Sequence, residues 1–503
     1  MEQIRIGWAE ADITPYKRVS LAGQFAERIS EYVEKPLTVT ALAMENGDDQ
    51  VVLVSADIIQ LSWVTMEKIR RQLADNGMGL DPAKIIVSAI HTHCGPNLGT
   101  VRQSRRVMPS VRSIRDLMIE MLPPGRNYVA AAKTTAPDII TAEEFEELFV
   151  ERVSRAILEA WKNRKPGGFV NAFGRAAVGQ CRRAVYTDGS AMMWGETNTA
   201  VFRELEGGND SGVELLYCFG ENRELTGVVV NLACPAQCVQ HRLFVSPDFW
   251  GEVKVRLRAH FGEHIFVLPQ CSAAGDQCPV DLIRWVEPES DVHDPNITRA
   301  APLRRKADPS MFDLAGMRKV GKRIANEVID VYEEGLGEIT ECAPLEHRMN
   351  ISRLPLRRVS REERNAALRS IRQYMEETTG DVNYNDTAML QVHLGVLNRY
   401  ELQERMDVVD TEVHVVRLGE IAFATNPFEM FLDYGNQIKA RSRAAQTFVV
   451  QLANGCEGYL PTEKAERGGH YSAFVGSGQV GHVGGEQLVR ETLTEIRALF
   501  PDA

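Results

Sequence analysis

Three observations in the sequence predict a layered α/β fold, with β-sheets flanked by helices. Short β-branched runs such as Val51-Val52-Leu53-Val54-Ser55-Ala56-Asp57 and Lys84-Ile85-Ile86-Val87-Ser88-Ala89 end in small or polar residues, as buried strands do. Between those two runs, residues 64–73 carry apolar side chains at helical spacing. The residues suited to chemistry fall in turns directly after strands, where open α/β sheets gather ligands.

The chain opens on a strand-like segment, Met1-Glu2-Gln3-Ile4-Arg5, without a basic stretch leading into a long apolar one, so export by the usual signal is not expected. Residues 100–138 break the strand-helix rhythm with Arg102, Arg105, Arg106, Arg112 and Arg115, then Pro123-Pro124-Gly125. They read as an insertion, either a lid over substrate or a surface loop. Over 142–162, Phe145, Leu148, Phe149, Val153, Ile157 and Trp161 follow the i, i+3, i+4 pattern of a helix packed on the body. A strand over 227–233, a helix over 248–261 and a strand over 265–268 follow, then a loop over 288–309 rich in Asp, Pro and Arg. The spacing next predicts a helix over 312–334, a strand near 346–354 and a helix over 360–377 whose charges form a solvated face. Strands over 411–425 and 447–452 and a helix over 486–500 complete the chain, with no internal repeat.

Composition excludes several classes. The 503 residues are 44% hydrophobic and 25% charged, and 57 basic against 69 acidic side chains leave a net charge of −12. A balance that acidic argues against bulk-charge binding to nucleic acid or anionic lipid. No window approaches the ~18 uninterrupted apolar residues of a membrane span. Nine cysteines, an odd number in a chain without an export signal, fit reduced thiols in the cytoplasm.

Five strand ends carry candidate chemistry. Ser88-Ala89-Ile90-His91-Thr92-His93-Cys94 ends the first; in extended chain the two imidazoles share a face, which suits one metal ligand and one supporting or acid/base histidine. Asn231-Leu232-Ala233-Cys234 ends the second, with His241 reading as a solvated loop residue. Gly275-Asp276-Gln277-Cys278 follows the third, Asn426-Pro427-Phe428-Glu429 the fourth, and Asn454-Gly455-Cys456-Glu457-Gly458-Tyr459 the fifth. The run Gly476-Ser477-Gly478-Gln479-Val480-Gly481 has dinucleotide-binding spacing, but too little chain follows for the helix, strand and acid the motif needs; it is a glycine-rich loop. No G-x-S-x-G elbow or phosphate-binding loop occurs.

Taken in order, Gly7 with Asp12-Ile13-Thr14-Pro15, Leu21-Ala22-Gly23, Ser55-Ala56-Asp57, His91-Thr92-His93-Cys94-Gly95-Pro96, Gly275-Asp276-Gln277-Cys278-Pro279 and Gly458-Tyr459 resemble the neutral/alkaline ceramidase family. The resemblance runs over nearly the whole chain. It implies a mixed-sheet α/β catalytic unit over 1–503, with the 100–138 insertion and a loosely separate lobe over 340–503, and without the family's carboxy-terminal immunoglobulin-like domain. It further implies one zinc ion held by two histidines, a glutamate and a tyrosine, and an activated water that cleaves an amide. Carried over by residue, His91, Glu429 and Tyr459 are metal ligands, with Cys234 at the position of the second ligand histidine. His93 assists the carbonyl, Arg182 (with Arg183 as the alternative register) lies beside it, and the Gly23 backbone faces the oxyanion. Asp276 and Cys278 belong to the family's G-D-x-S-P motif, whose serine is here Cys278.

The expectation is therefore a cytoplasmic, zinc-dependent hydrolase acting on an amide or related bond of a small soluble substrate, which the arginine-rich insertion suggests is anionic. No nucleic-acid partner and no stable membrane association are expected. Two alternatives stand beside it: a cysteine nucleophile, Cys278 or Cys94, with His93 as base, and a catalytically silent relative that binds metal or ligand.

Overall fold

The computed structural model of the chain describes residues 3–99, 111–130, 134–283 and 311–501. Three mixed sheets carry the fold, and each is built by the same connectivity. In the amino-terminal sheet Arg5–Asp12, Thr38–Glu45 and Gln50–Ala56 run antiparallel in turn, and the helix Trp63–Leu73 crosses over to Ile85–Ala89, parallel to Gln50–Ala56. The middle sheet repeats this with Gly168–Arg175, Gly212–Phe219 and Leu225–Leu232, the helix Phe249–Phe261 and the parallel strand Phe266–Cys271. The carboxy-terminal sheet repeats it with Leu345–Pro355, Val408–Leu418 and Ile421–Thr425, the helix Leu432–Arg441 and the parallel strand Gln446–Val450.

A second helix closes each module and packs on that module's first strand: Ala142–Lys162, Asp313–Glu333 and His482–Leu499. The helix pairs cover one face of each sheet. The opposite faces meet in a single buried cluster, to which Trp8, Leu42 and Leu53, then Phe169, Leu216 and Leu268, then Leu418, Phe423 and Phe448 contribute from the three sheets in turn. Burial on both faces explains why the parallel strands read as near-continuous apolar runs.

The carboxyl ends of the parallel strands converge at one edge and are laced together. Ser272 N donates to Leu232 O at 2.9 Å, Gln451 N to Cys271 O at 3.0 Å and Ala89 N to Leu452 O at 3.3 Å. Asn231 Nδ2 reaches Val449 O at 2.8 Å. Each module thus delivers its strand ends to the same place.

Most predicted elements lie where the spacing put them, including the helices Ala142–Lys162 and Arg361–Glu377. The span 411–425 is two strands joined by a tight turn at Gly419-Glu420. The helix Tyr384–Leu402 escaped prediction because Met389, Leu390, Val392, Leu394, Val396 and Leu397 surround it rather than forming one stripe. The described part of the insertion is anchored. Its helix Ile114–Glu120 sets Leu117 and Met118 against Ala367, Ile371 and Leu394, and Tyr128–Val129 pairs with Val382–Asn383. Arg112 bridges Glu120 and Glu401, and Arg115 lies over the Tyr128 ring. Arg102, Arg105 and Arg106 lie outside the described residues.

Candidate active site

The amino-terminal module supplies His91 and His93 just past Ala89. The expected extended backbone gives way here: the strand has ended, and His91 adopts a left-handed conformation with φ of 65°. The two rings converge all the same, edge to face with centroids 5.0 Å apart and their Nε2 atoms at 3.4 Å. His91 Nδ1 is 2.9 Å from the Ile59 carbonyl, which can only accept. That bond places a ring proton on Nδ1 and turns Nε2 into the site.

The carboxy-terminal module supplies the partners. Glu429–Met430 and Tyr459–Leu460 pair as two short parallel strands, so Glu429 and Tyr459 stand directly side by side. Glu429 Oε2 lies 3.4 Å from His91 Nε2, and the Tyr459 hydroxyl donates to the Glu429 carboxylate. The glycine-rich loop backs this pair: a Cβ on Gly478 would sit 2.1 Å from the Tyr459 carbonyl. Arg399 holds that loop through Val475 O and Gly478 O.

Arg182 joins the modules. Its Nη2 donates to Gly275 O at 2.8 Å and to Tyr459 Oη at 3.3 Å, and its Nη1 donates to Gln237 Oε1 at 3.1 Å. Gln237 Nε2 then meets His93 Nε2 at 2.7 Å. Gly23, at φ of 89°, brings its backbone against the other edge of His93, where a Cβ would fall 2.4 Å from Nδ1. Only glycine fits there. Arg28 clamps both pieces of chain, donating to Ala22 O at 2.7 Å and His93 O at 2.6 Å.

The electrostatics follow from burial and neighbours. Burial pushes the Tyr459 phenol well above its ordinary value, and Glu429 adds to that, so it is neutral. Burial would raise the Glu429 carboxyl, but His91 and Arg182 hold it below the usual range as a carboxylate. His93 is driven well below its ordinary value by burial and then by His91, Arg28 and Arg182, so it is neutral. Glu429 is a carboxylate beside the buried Arg182 guanidinium, with Tyr459 and His93 neutral.

Of the predicted residues, His91, His93, Gly23, Arg182, Glu429 and Tyr459 come together. Side-chain hydrogen bonds of Cys234, Cys278 and Asp276 go to other groups. Cys234 Sγ turns to the carbonyl of Val178 at 3.5 Å, and burial pushes its thiol well up. Cys278 Sγ turns to Val280 O at 3.3 Å. Cys94 Sγ turns to Val239 O at 3.1 Å, with its thiol pushed up to about 12 chiefly by burial. Asp276 accepts from Leu432 N at 2.9 Å and caps the helix Leu432–Arg441. Buried thiols satisfied by carbonyls are poor ligands and poor nucleophiles. Arg183, the alternative to Arg182, is consumed by a buried pair with Glu206 and by the carbonyls of Gly469 and Tyr471. His241, read as solvated, has a mostly buried side chain beside Asp313 at 3.5 Å. Gln237 and Arg28 were not singled out from the sequence, where a lone Gln in a turn and a lone Arg carry no signal.

The spacing of His91 and Glu429 suits a cation. Two ligands ~2.0–2.1 Å from a tetrahedral centre stand about 3.3 Å apart, close to the His91–Glu429 separation of 3.4 Å. With Tyr459 they make three protein donors, the number a catalytic zinc site uses. Among the described residues no group of three or more His, Cys, Asp or Glu is arranged to hold a metal.

No family model and no curated protein matches the sequence. Solved structures match the fold. One, described as a ceramidase complexed with C2, superposes with a TM-score of 0.65 at 16% identity, over 99% of this chain and 76% of that one. The neutral ceramidase from Pseudomonas aeruginosa gives 0.64 at 17% identity, over 99% of this chain and 75% of that one. The chain has the neutral ceramidase fold. Within the ceramidase fold, the five strand ends picked out from the sequence become one convergent edge. No helix among the described residues is long and apolar enough to cross a membrane.

Proposed function

We propose that the protein is a metal-dependent hydrolase of an amide or related bond in a small molecule. The observation that carries this reading is the Nε2 of His91 set 3.4 Å from the Glu429 carboxylate, beside Tyr459, at the convergent edge of a ceramidase fold. A divalent metal, zinc by its donor set, would be held by His91, Glu429 and Tyr459 and would supply Lewis acidity and an acidified water. The remaining work falls to the chain. Ile59 fixes the His91 ring, and the Glu429–Tyr459 ladder fixes the other two donors. Arg182, buried and positive, faces negative charge that develops on a carbonyl oxygen, with His93 and the Gly23 backbone beside it.

Thiols packed on backbone carbonyls support a reducing, cytoplasmic setting. The anionic substrate suggested by the insertion draws no support from Arg112 and Arg115, which are engaged elsewhere. A silent ligand-binding relative is the second reading, favoured by Cys234 turning away from the donors. The test is metal analysis of purified protein together with turnover of a panel of N-acyl amides. One equivalent of metal, lost with turnover in Glu429→Gln, supports the hydrolase. Metal-free protein with no turnover of any amide overturns it.

A further inference from the structure

Gln237 lies between Arg182 and His93, and its amide has only one orientation. Arg182 Nη1 carries hydrogens and no acceptor, so the Gln237 atom 3.1 Å from it is the carbonyl oxygen. The amide NH2 therefore points at His93 Nε2, 2.7 Å away. An amide nitrogen donates and does not accept, so His93 Nε2 is the acceptor and the ring proton resides on Nδ1. Both Gln237 and His93 are buried, at 2% and 7% exposure, which leaves bulk water little competition for these bonds.

Two consequences follow. The Nε2 lone pair of His93, 3.4 Å from His91 Nε2 and so within reach of the same cation, is already occupied. The single proton His93 can offer faces the Gly23 backbone, the side on which the loop Leu21-Ala22-Gly23 closes the site.

We propose that Gln237 is a positioning residue: oriented by Arg182, it holds His93 as the Nδ1–H tautomer, keeps His93 out of the coordination of any cation bound by His91, Glu429 and Tyr459, and aims its proton toward Gly23. This rests on the proposed hydrolase only for its catalytic consequence. The tautomer itself is a property of the folded chain.

The experiment is nitrogen-detected NMR of histidine-labelled protein without added metal, comparing wild type with Gln237→Glu. A carboxylate only accepts, so in Q237E the His93 proton should move from Nδ1 to Nε2, exchanging the protonated and bare nitrogens. His91, held by Ile59, should keep its Nδ1–H signal and serve as the control for folding. If Q237E does not fold, Gln237→Met removes the donor and should give a mixture of tautomers. A His93 ring that is Nε2–H in the wild type, or unchanged in both variants, overturns the proposal. In the hydrolase reading Q237E should also lower kcat by about ten-fold with KM within two-fold. A tautomer exchange in a protein with no turnover at all would leave Gln237's role standing and sink the hydrolase instead.

Discussion

The amino- and carboxy-terminal modules and the middle module share one connectivity and one convergent edge, yet they do different work. The outer two end in His91, Glu429 and Tyr459, whose polar atoms face one another. The middle one ends in Cys234, Cys271 and Cys278, whose thiols face Val178 O, Cys234 O and Val280 O. Topology decides where a strand-end residue sits, and hydrogen bonding decides where its side chain points. The middle module still contributes to the centre through Gln237 and through Gly275 and Asp276, whose carbonyls accept from the Arg182 side chain and backbone.

The sharpest way to break this contrast is to remove a donor from an outer module. His91→Ala or Glu429→Gln should lose bound metal and at least ~10²-fold in kcat/KM, as loss of a principal electrostatic element does. Metal retention in both variants would mean that the cation, if any, is held elsewhere. Arg182→Lys keeps the charge but gives up the fork that serves Gln237, Gly275 and Tyr459 together. Its kcat should fall about ten- to a hundred-fold with metal content unchanged; a loss confined to KM would assign Arg182 to binding alone.

A third prediction concerns the middle module's acid. Asp276 is buried, and burial lifts its carboxyl from 3.8 to about 6 despite the Leu432 amide bond. A folded-state value above the unfolded one favours the protonated form, so this stability is complete below pH ~4 and is lost as pH rises through about 6. Asp276→Asn does not ionise, and by linkage should gain up to about 2–3 kcal/mol on wild type between pH 4 and pH 7, read from denaturant midpoints. Equal pH dependence of the two proteins would show that Asp276 ionises freely and is not a buried cap. The smallest effect is expected for Cys234→Ala, which should change metal content and kcat/KM by less than about two-fold.

The fold class and the site's outer-module residues were legible because β-branched runs and the turns that end them are local signals. The Glu429–Tyr459 pairing was not, since it depends on two segments meeting in register across 30 residues of chain. The threefold connectivity was hidden for a related reason. The connections between first and second strands span 13–37, 176–211 and 356–407, too different in length to leave a period. Asp276 looked catalytic because an acid after a glycine-marked turn has the same local pattern whether it meets substrate or a helix amino terminus. Only the position of Leu432 tells them apart.

In the proposed hydrolase the outer modules alone would hold the cation. X-ray absorption of the metal-loaded protein tests it directly. The spectrum should show a shell of nitrogen and oxygen atoms at ~2.0–2.2 Å and no sulfur. A sulfur shell at ~2.3 Å that disappears in Cys234→Ala would contradict it and return the middle module to the metal site.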